Sequence, residues 1–145
     1  MILAGTSAGG YGAFRFLIDY PEAVDATLLM APAYTPSDEE LDMLDALGER
    51  IWYMIGYRDE LVRFDVFTAP ILTKLLRMPN VEVTLLDWVK NGDKGVASIN
   101  FGIEMGQHCI CVAAGGNLLY DDGTPYDISH PDGVTGWIRS VVANP

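Results

Sequence analysis

Positive charge is scarce in this 145-residue chain: nine Lys and Arg stand against 20 Asp and Glu, for a net charge of −11. Such a balance repels phosphate backbones and anionic lipid, which argues against nucleic acid or a membrane as partner. Cysteine is scarcer still. Cys109 and Cys111 are the whole complement, and two positions apart they are too close for an ordinary disulfide. No apolar run reaches the ~18 residues of a membrane span. The start, MILAGTSAGG, lacks the basic residues and long apolar core of a signal peptide. There is no internal repeat, low-complexity tract or linker, and only two histidines, His108 and His130, are available as a base.

What is present is half apolar. A chain of this length buries ~70% of the surface it exposes when unfolded, so neither a metal nor a disulfide frame is required to hold a core. One domain over residues 1–145 is expected. Met1 to Ala4 is a short apolar strand broken at Gly5, and Tyr11 to Tyr20 places Tyr11, Phe14, Leu17 and Ile18 on one helical face before Pro21. Asp25 to Ala31 reads as a second strand. Ser37-Asp38-Glu39-Glu40 is a capping-box pattern ahead of Leu41, Leu44 and Leu47, with Gly48 as the stop. Arg50 to Gly56 is a continuous apolar run, as in a strand covered on both faces.

Phe67 to Met78 has helical spacing, Val81 to Trp88 is a fourth strand, and Val89 to Gln107 is loop-like in composition. His108 to Tyr120 is ambiguous between states. Asp121 to Pro125 carries turn chemistry, and Val134, Trp137, Ile138 and Val141 mark a closing amphipathic helix. Strands alternating with helices predict an α/β fold with a parallel sheet.

In such sheets the chemistry sits at the carboxyl ends of the strands. Gly5-Thr6-Ser7-Ala8-Gly9 fits G-x-S-x-G, a pattern expected about 0.05 times by chance in a chain of this composition. Its setting between strand and helix is the context that holds a nucleophilic serine on a strained turn, with flanking glycines removing the Cβ atoms that would clash. The N–H of Ala8, at the positive end of the following helix, is a candidate oxyanion donor. Asp59 in the turn after the third strand and His108 after the fourth give the order Ser, Asp, His.

At these residues the chain resembles the C-terminal half of an α/β-hydrolase of the esterase and prolyl-peptidase-like kind. GTSAGGYGAF is similar to that family's nucleophile elbow, and IGYRDELV to its acid-bearing turn. The resemblance implies Ser7 as nucleophile, His108 as general base and Asp59 as the group that orients it, with no cofactor and no metal, acting on a small-molecule ester or amide.

Each residue has a plainer alternative. Ser7 fits an ordinary tight turn, Asp59 fits a turn or cap with Glu60, Asp65 and Asp87 as rivals, and His130 is a reserve base. The alternative at the level of the whole chain is a non-catalytic α/β module used for binding or assembly. A phosphate loop is excluded because the sixth residue after Gly5 is Tyr11 rather than Lys. His108, Cys109 and Cys111 lack the two-cluster spacing of a zinc site, and Asp121, Asp122 and Asp127 lack the ligand ladder of a calcium loop, reading instead as a solvated turn. Trp52, Tyr53, Trp88 and Trp137 read as core or pocket wall.

The resemblance further implies a sheet that continues beyond the elbow strand and a second oxyanion donor from that earlier half. No HGGG-like segment occurs here. The expectation is a partial fold whose Met1–Ala4 edge pairs with a missing N-terminal segment or with a second copy of the chain.

Overall fold

A computed structural model describes residues 1–87, 106–108, 110–115, 117–119 and 123–143. Most of the loop-like stretch before His108, together with Trp88, Cys109, Asp121 and Asp122, lies outside the described residues. The strands β1 (Ile2–Thr6), β2 (Ala26–Met30), β3 (Ile51–Gly56) and β4 (Val81–Leu86) form one parallel sheet in the order β1-β2-β3-β4. The helices are α1 (Ser7–Asp19), α2 (Asp38–Leu47), α3 (Phe64–Phe67), α4 (Ala69–Leu75), α5 (Ile110–Gly115) and α6 (Gly133–Ala143), and a 3₁₀ turn covers Gly106–His108.

β3 carries the unbroken apolar run Ile51 to Gly56 and is buried at every position. With strands paired on both sides and helices over both faces, it has no polar face to present. Successive side chains point to opposite faces, and the aromatic contacts show both layers. Tyr53 approaches Phe14 of α1 and bonds Thr68 ahead of α4, whereas Trp52 meets His130 and Trp137 of α6. Burial pushes the Tyr53 phenol up to about 12 against the opposing effect of its Thr68 bond.

Two expectations shift at their boundaries. β1 runs on through Gly5 and Thr6, paired with Leu29 and Met30, and α1 begins directly at Ser7. The Phe67 to Met78 segment divides at Thr68 into α3 and α4, leaving Pro70 in the first turn of α4, where its missing N–H costs nothing. The capping box of α2 is complete: Ser37 accepts from the Glu40 N–H while Glu40 accepts from that of Ser37, and Gly48 closes the helix at φ 73°. Tyr34 and Arg15 both reach the Glu40 carboxylate, tying α1 to α2.

On the opposite face, Trp52 Nε1 donates to Thr84 Oγ1 at 2.8 Å, and Thr84 in turn donates to Asp127. Asp127 is thus half-buried and tied to β4, rather than part of a solvated turn. Burial acts to raise its pKa, but the Thr84 hydroxyl, the Ser129 N–H and the nearby His130 outweigh it, and the carboxyl sits below its ordinary value of 3.8.

A Cβ on Gly5 would lie 2.3 Å from the Gly9 carbonyl oxygen and 2.8 Å from Ala13 Cβ, whereas one on Gly9 would meet nothing within 4 Å. Gly5→Ala is expected to cost ~1–3 kcal/mol in urea unfolding, and Gly9→Ala to leave stability within ~0.5 kcal/mol of the wild type. A depressed folded-state pKa contributes stability that is present at neutral pH and lost as pH falls through that value. Asp127→Asn should therefore lower the melting temperature at neutral pH and narrow its drop between about pH 6 and about pH 3, as followed by circular dichroism.

Candidate active site

The parallel sheet brings the ends of β1 and β3 to one edge, separated by β2, so the residues after them start ~10 Å apart. Ser7 lies on a sharp strand-to-helix turn: Thr6 is extended at φ −123°, and Ser7 itself takes φ 53°. A side-chain-bearing residue in the left-handed region is strained by roughly 1–2 kcal/mol and persists only where its surroundings impose it. They do so here. The Gly5–Gly9 approach presses α1 onto β1, the Ser7 carbonyl accepts the Ala33 N–H at 3.0 Å, and the Pro32 Cα leaves no room for a Cβ on Gly10.

Ala31, at the end of the neighbouring β2, is a second such residue, at φ 44° and fully buried. It turns the chain into the Pro32 to Tyr34 corner that braces the serine. In the sequence Asp25 to Ala31 reads as strand to its end, and only Pro32 directly after it marks the turn.

The start of α1 differs from that of α2. It has no capping side chain and no acidic residue in its first turn, whereas α2 has a full capping box and three acids. Its leading N–H groups, with that of exposed Ala8 among them, therefore retain the positive end of the helix dipole unopposed.

Asp59 follows β3 in the turn that begins at Tyr57, with its N–H on the Gly56 carbonyl at 3.1 Å. Its Oδ1 accepts the N–H groups of Leu61 and Val62 at 2.9 and 2.8 Å, and its Oδ2 lies 2.7 Å from His108 Nδ1. The two side chains are 0% and 3% exposed. An ionised carboxylate only accepts, so the proton in this bond belongs to Nδ1 and the lone pair of the neutral ring to Nε2. Among the described residues no hydrogen bond joins Ser7 Oγ to His108.

The other titratable groups have different partners. His130 stacks on Trp52, with ring centroids 4.0 Å apart, and its Nε2 lies 2.9 Å from a Glu82 oxygen. Trp52 and Glu82 are register partners near the amino ends of β3 and β4, so this histidine sits in the half of the sheet away from Ser7. Asp65 pairs with Arg63 and Asp87 with Arg58, all at the surface. Glu60 accepts the Gln107 N–H. Among the described residues no group of three or more His, Cys, Asp or Glu could hold a metal ion, and no helix is long and apolar enough to cross a membrane.

No protein-family model matches the chain, and no curated protein matches it. Among solved structures it is similar to a thermostable esterase, at 17% identity and a TM-score of 0.53, over 78% of this chain and 27% of that one. A predicted CIB-like hydrolase from Thermoplasma acidophilum matches at 17% identity and a TM-score of 0.44, over 58% of this chain and 38% of that one. The chain thus spans about a quarter of the esterase and under two-fifths of the second protein. The esterase likeness, at this identity, speaks to the fold alone: the four-stranded parallel sheet flanked by helices is an α/β arrangement that matches part of that esterase's fold.

Proposed function

We propose that this chain carries the catalytic residues of a serine hydrolase that cleaves a carboxylic ester or amide through an acyl-enzyme. The observation that carries the proposal is the buried 2.7 Å contact between Asp59 and His108, at the sheet edge where Ser7 stands on a left-handed strand-to-helix turn. Ser7 Oγ attacks the substrate carbonyl carbon while His108 Nε2 takes the hydroxyl proton. Asp59, held by two main-chain N–H groups, keeps the ring in the Nδ1–H tautomer and stabilises the imidazolium. The Ala8 N–H and the uncapped start of α1 receive the developing oxyanion.

Collapse of the tetrahedral adduct breaks the bond to the alcohol or amine, which leaves with the proton from His108. Water then attacks the acyl-Ser7 carbonyl, its proton going to His108, and the acid departs as the Ser7 hydroxyl re-forms. An ester is favoured over an amide as substrate because the elbow GTSAGGYGAF resembles those of esterases.

The proposal extends to the free side of β1. Among the described residues this strand pairs on one side only, with Ile2 and Leu3 half-buried and Ala4 exposed, and an unpaired apolar strand edge associates. A further strand from an upstream segment or from a second copy would cover it, and the upstream segment would also bring the second oxyanion donor. One such donor is worth ~10²–10³ in rate.

A fluorophosphonate probe should label Ser7 and no other residue, and Ser7→Ala should abolish both labelling and hydrolysis of a short activated ester. Undiminished hydrolysis by Ser7→Ala would overturn the assignment. Asp59→Asn should lower kcat by roughly 10³–10⁴-fold, since the amide favours the wrong tautomer. His108→Gln should abolish turnover, whereas His130→Gln should reduce thermal stability with kcat within about threefold of wild type. The reverse pattern would make His130 the base.

A further inference from the structure

We propose that Glu60 is a positioning residue for His108: its carboxylate, accepting the main-chain N–H of Gln107, holds the turn that presents the imidazole to Asp59. This rests on the reading of His108 as general base given above.

Two neighbouring acids clasp two neighbouring residues in opposite order. Asp59 takes the ring of His108 at 2.7 Å, and Glu60 takes the N–H of Gln107 with both oxygens, at 3.2 and 3.1 Å. The turn so held is a single 3₁₀ turn, Gly106–His108, too short to maintain its own conformation, since one turn orders several torsions for a single hydrogen bond. Its geometry therefore comes from what it touches.

Downstream the fixed point is Ile110, fully buried where α5 begins. On the side of β3, Gln107 is 5% exposed and its carbonyl lies against Gly56, so near that a Cβ there would stand 2.9 Å from the oxygen. The main chain of Gln107 is thus fixed by Gly56 at its carbonyl and by Glu60 at its N–H. The next residue is His108, so any slide or rotation of this peptide is passed to the imidazole.

The consequence is kinetic. A proton acceptor misplaced by about 1 Å costs up to ~10² in rate, and only the groups that hold the turn prevent it. Glu60 is itself solvent-exposed, so replacing it does not empty the core, and the direct effect falls on the turn. Among the described residues, Asp65 and Asp87 are paired with arginines at the surface, and Glu60 is the acid that reaches the turn beside Asp59.

Glu60→Ala and Glu60→Gln in the full chain test this through two readouts. In the first, hydrolysis of a short activated ester, Glu60→Ala should lower kcat about tenfold with KM within about twofold. Glu60→Gln, whose amide oxygen accepts the same N–H, should recover to within about threefold of wild type. The second readout needs no turnover. The Nδ1–H proton resonance of His108, identified by its loss in His108→Gln, should persist in wild type and Glu60→Gln and be lost to faster solvent exchange in Glu60→Ala, with melting curves unchanged.

An unaltered resonance in Glu60→Ala, or equal damage from Ala and Gln, would overturn the positioning role. The outcomes separate from those of the serine assignment. If the resonance behaves as expected while Ser7 proves unreactive to the fluorophosphonate, the hydrolase reading falls and the Glu60 clasp stands. If hydrolysis depends on Ser7 but Glu60→Ala alters neither readout, the clasp alone falls.

Discussion

The rest of the structure depends on the approach of α1 to β1 at Gly5, where the distance from a Cβ to the Gly9 carbonyl oxygen would be 2.3 Å. At that separation there is room for one sequence only, glycine, and the backbone of the helix lies directly on the strand that precedes it. The chain must then turn within a single residue, which places Ser7 in the left-handed region and leaves the first N–H groups of α1 without a cap. Strain at Ser7 and an unopposed helix dipole are two results of one packing constraint, and both are features on which the proposed chemistry draws.

The strain needs support from elsewhere in the fold. Ala31, directly after β2, takes a positive φ as Ser7 does directly after β1, and the corner it creates returns the Ala33 N–H to the Ser7 carbonyl. Beneath this edge, β3 contributes Trp52 to one helical layer and Tyr53 to the other, each fully buried and each with its polar atom bonded to a threonine. The buried polar side-chain atoms of Trp52 and Tyr53 are thus satisfied in place. Asp59 and Glu60 then extend from that edge to receive the segment bearing His108.

Local order was largely readable from the chain. Helix α2 announces itself through Ser37, Glu40 and Gly48, because a capping box and a left-handed glycine act within a few residues of one another. The apolar period of α1 is visible only from Tyr11, since Gly9, Gly10 and Gly12 have low helix propensity, and the start of the helix at Ser7 follows from the G-x-S-x-G turn rather than from periodicity. Asp127 read as a solvated turn because its partner, Thr84, lies 43 positions away. The segment before His108 showed only loop composition, which says nothing about what it touches.

By itself the sequence determined the alternation of strands and helices, the fully covered third strand and the glycine-flanked Ser7, all of which follow from the identities of near neighbours. Tertiary structure alone decided which histidine meets an acid on the edge that carries Ser7. His108 and Asp59 are 49 residues apart, and Gln107 and Glu60 47, so neither contact leaves a periodic trace. His130 has an equally good carboxylate in Glu82, at 2.9 Å, and differs only in lying toward the amino ends of the strands. Which end of a parallel sheet a side chain reaches depends on where the strands stack and how the intervening chain returns, and that is set when the core closes around β3.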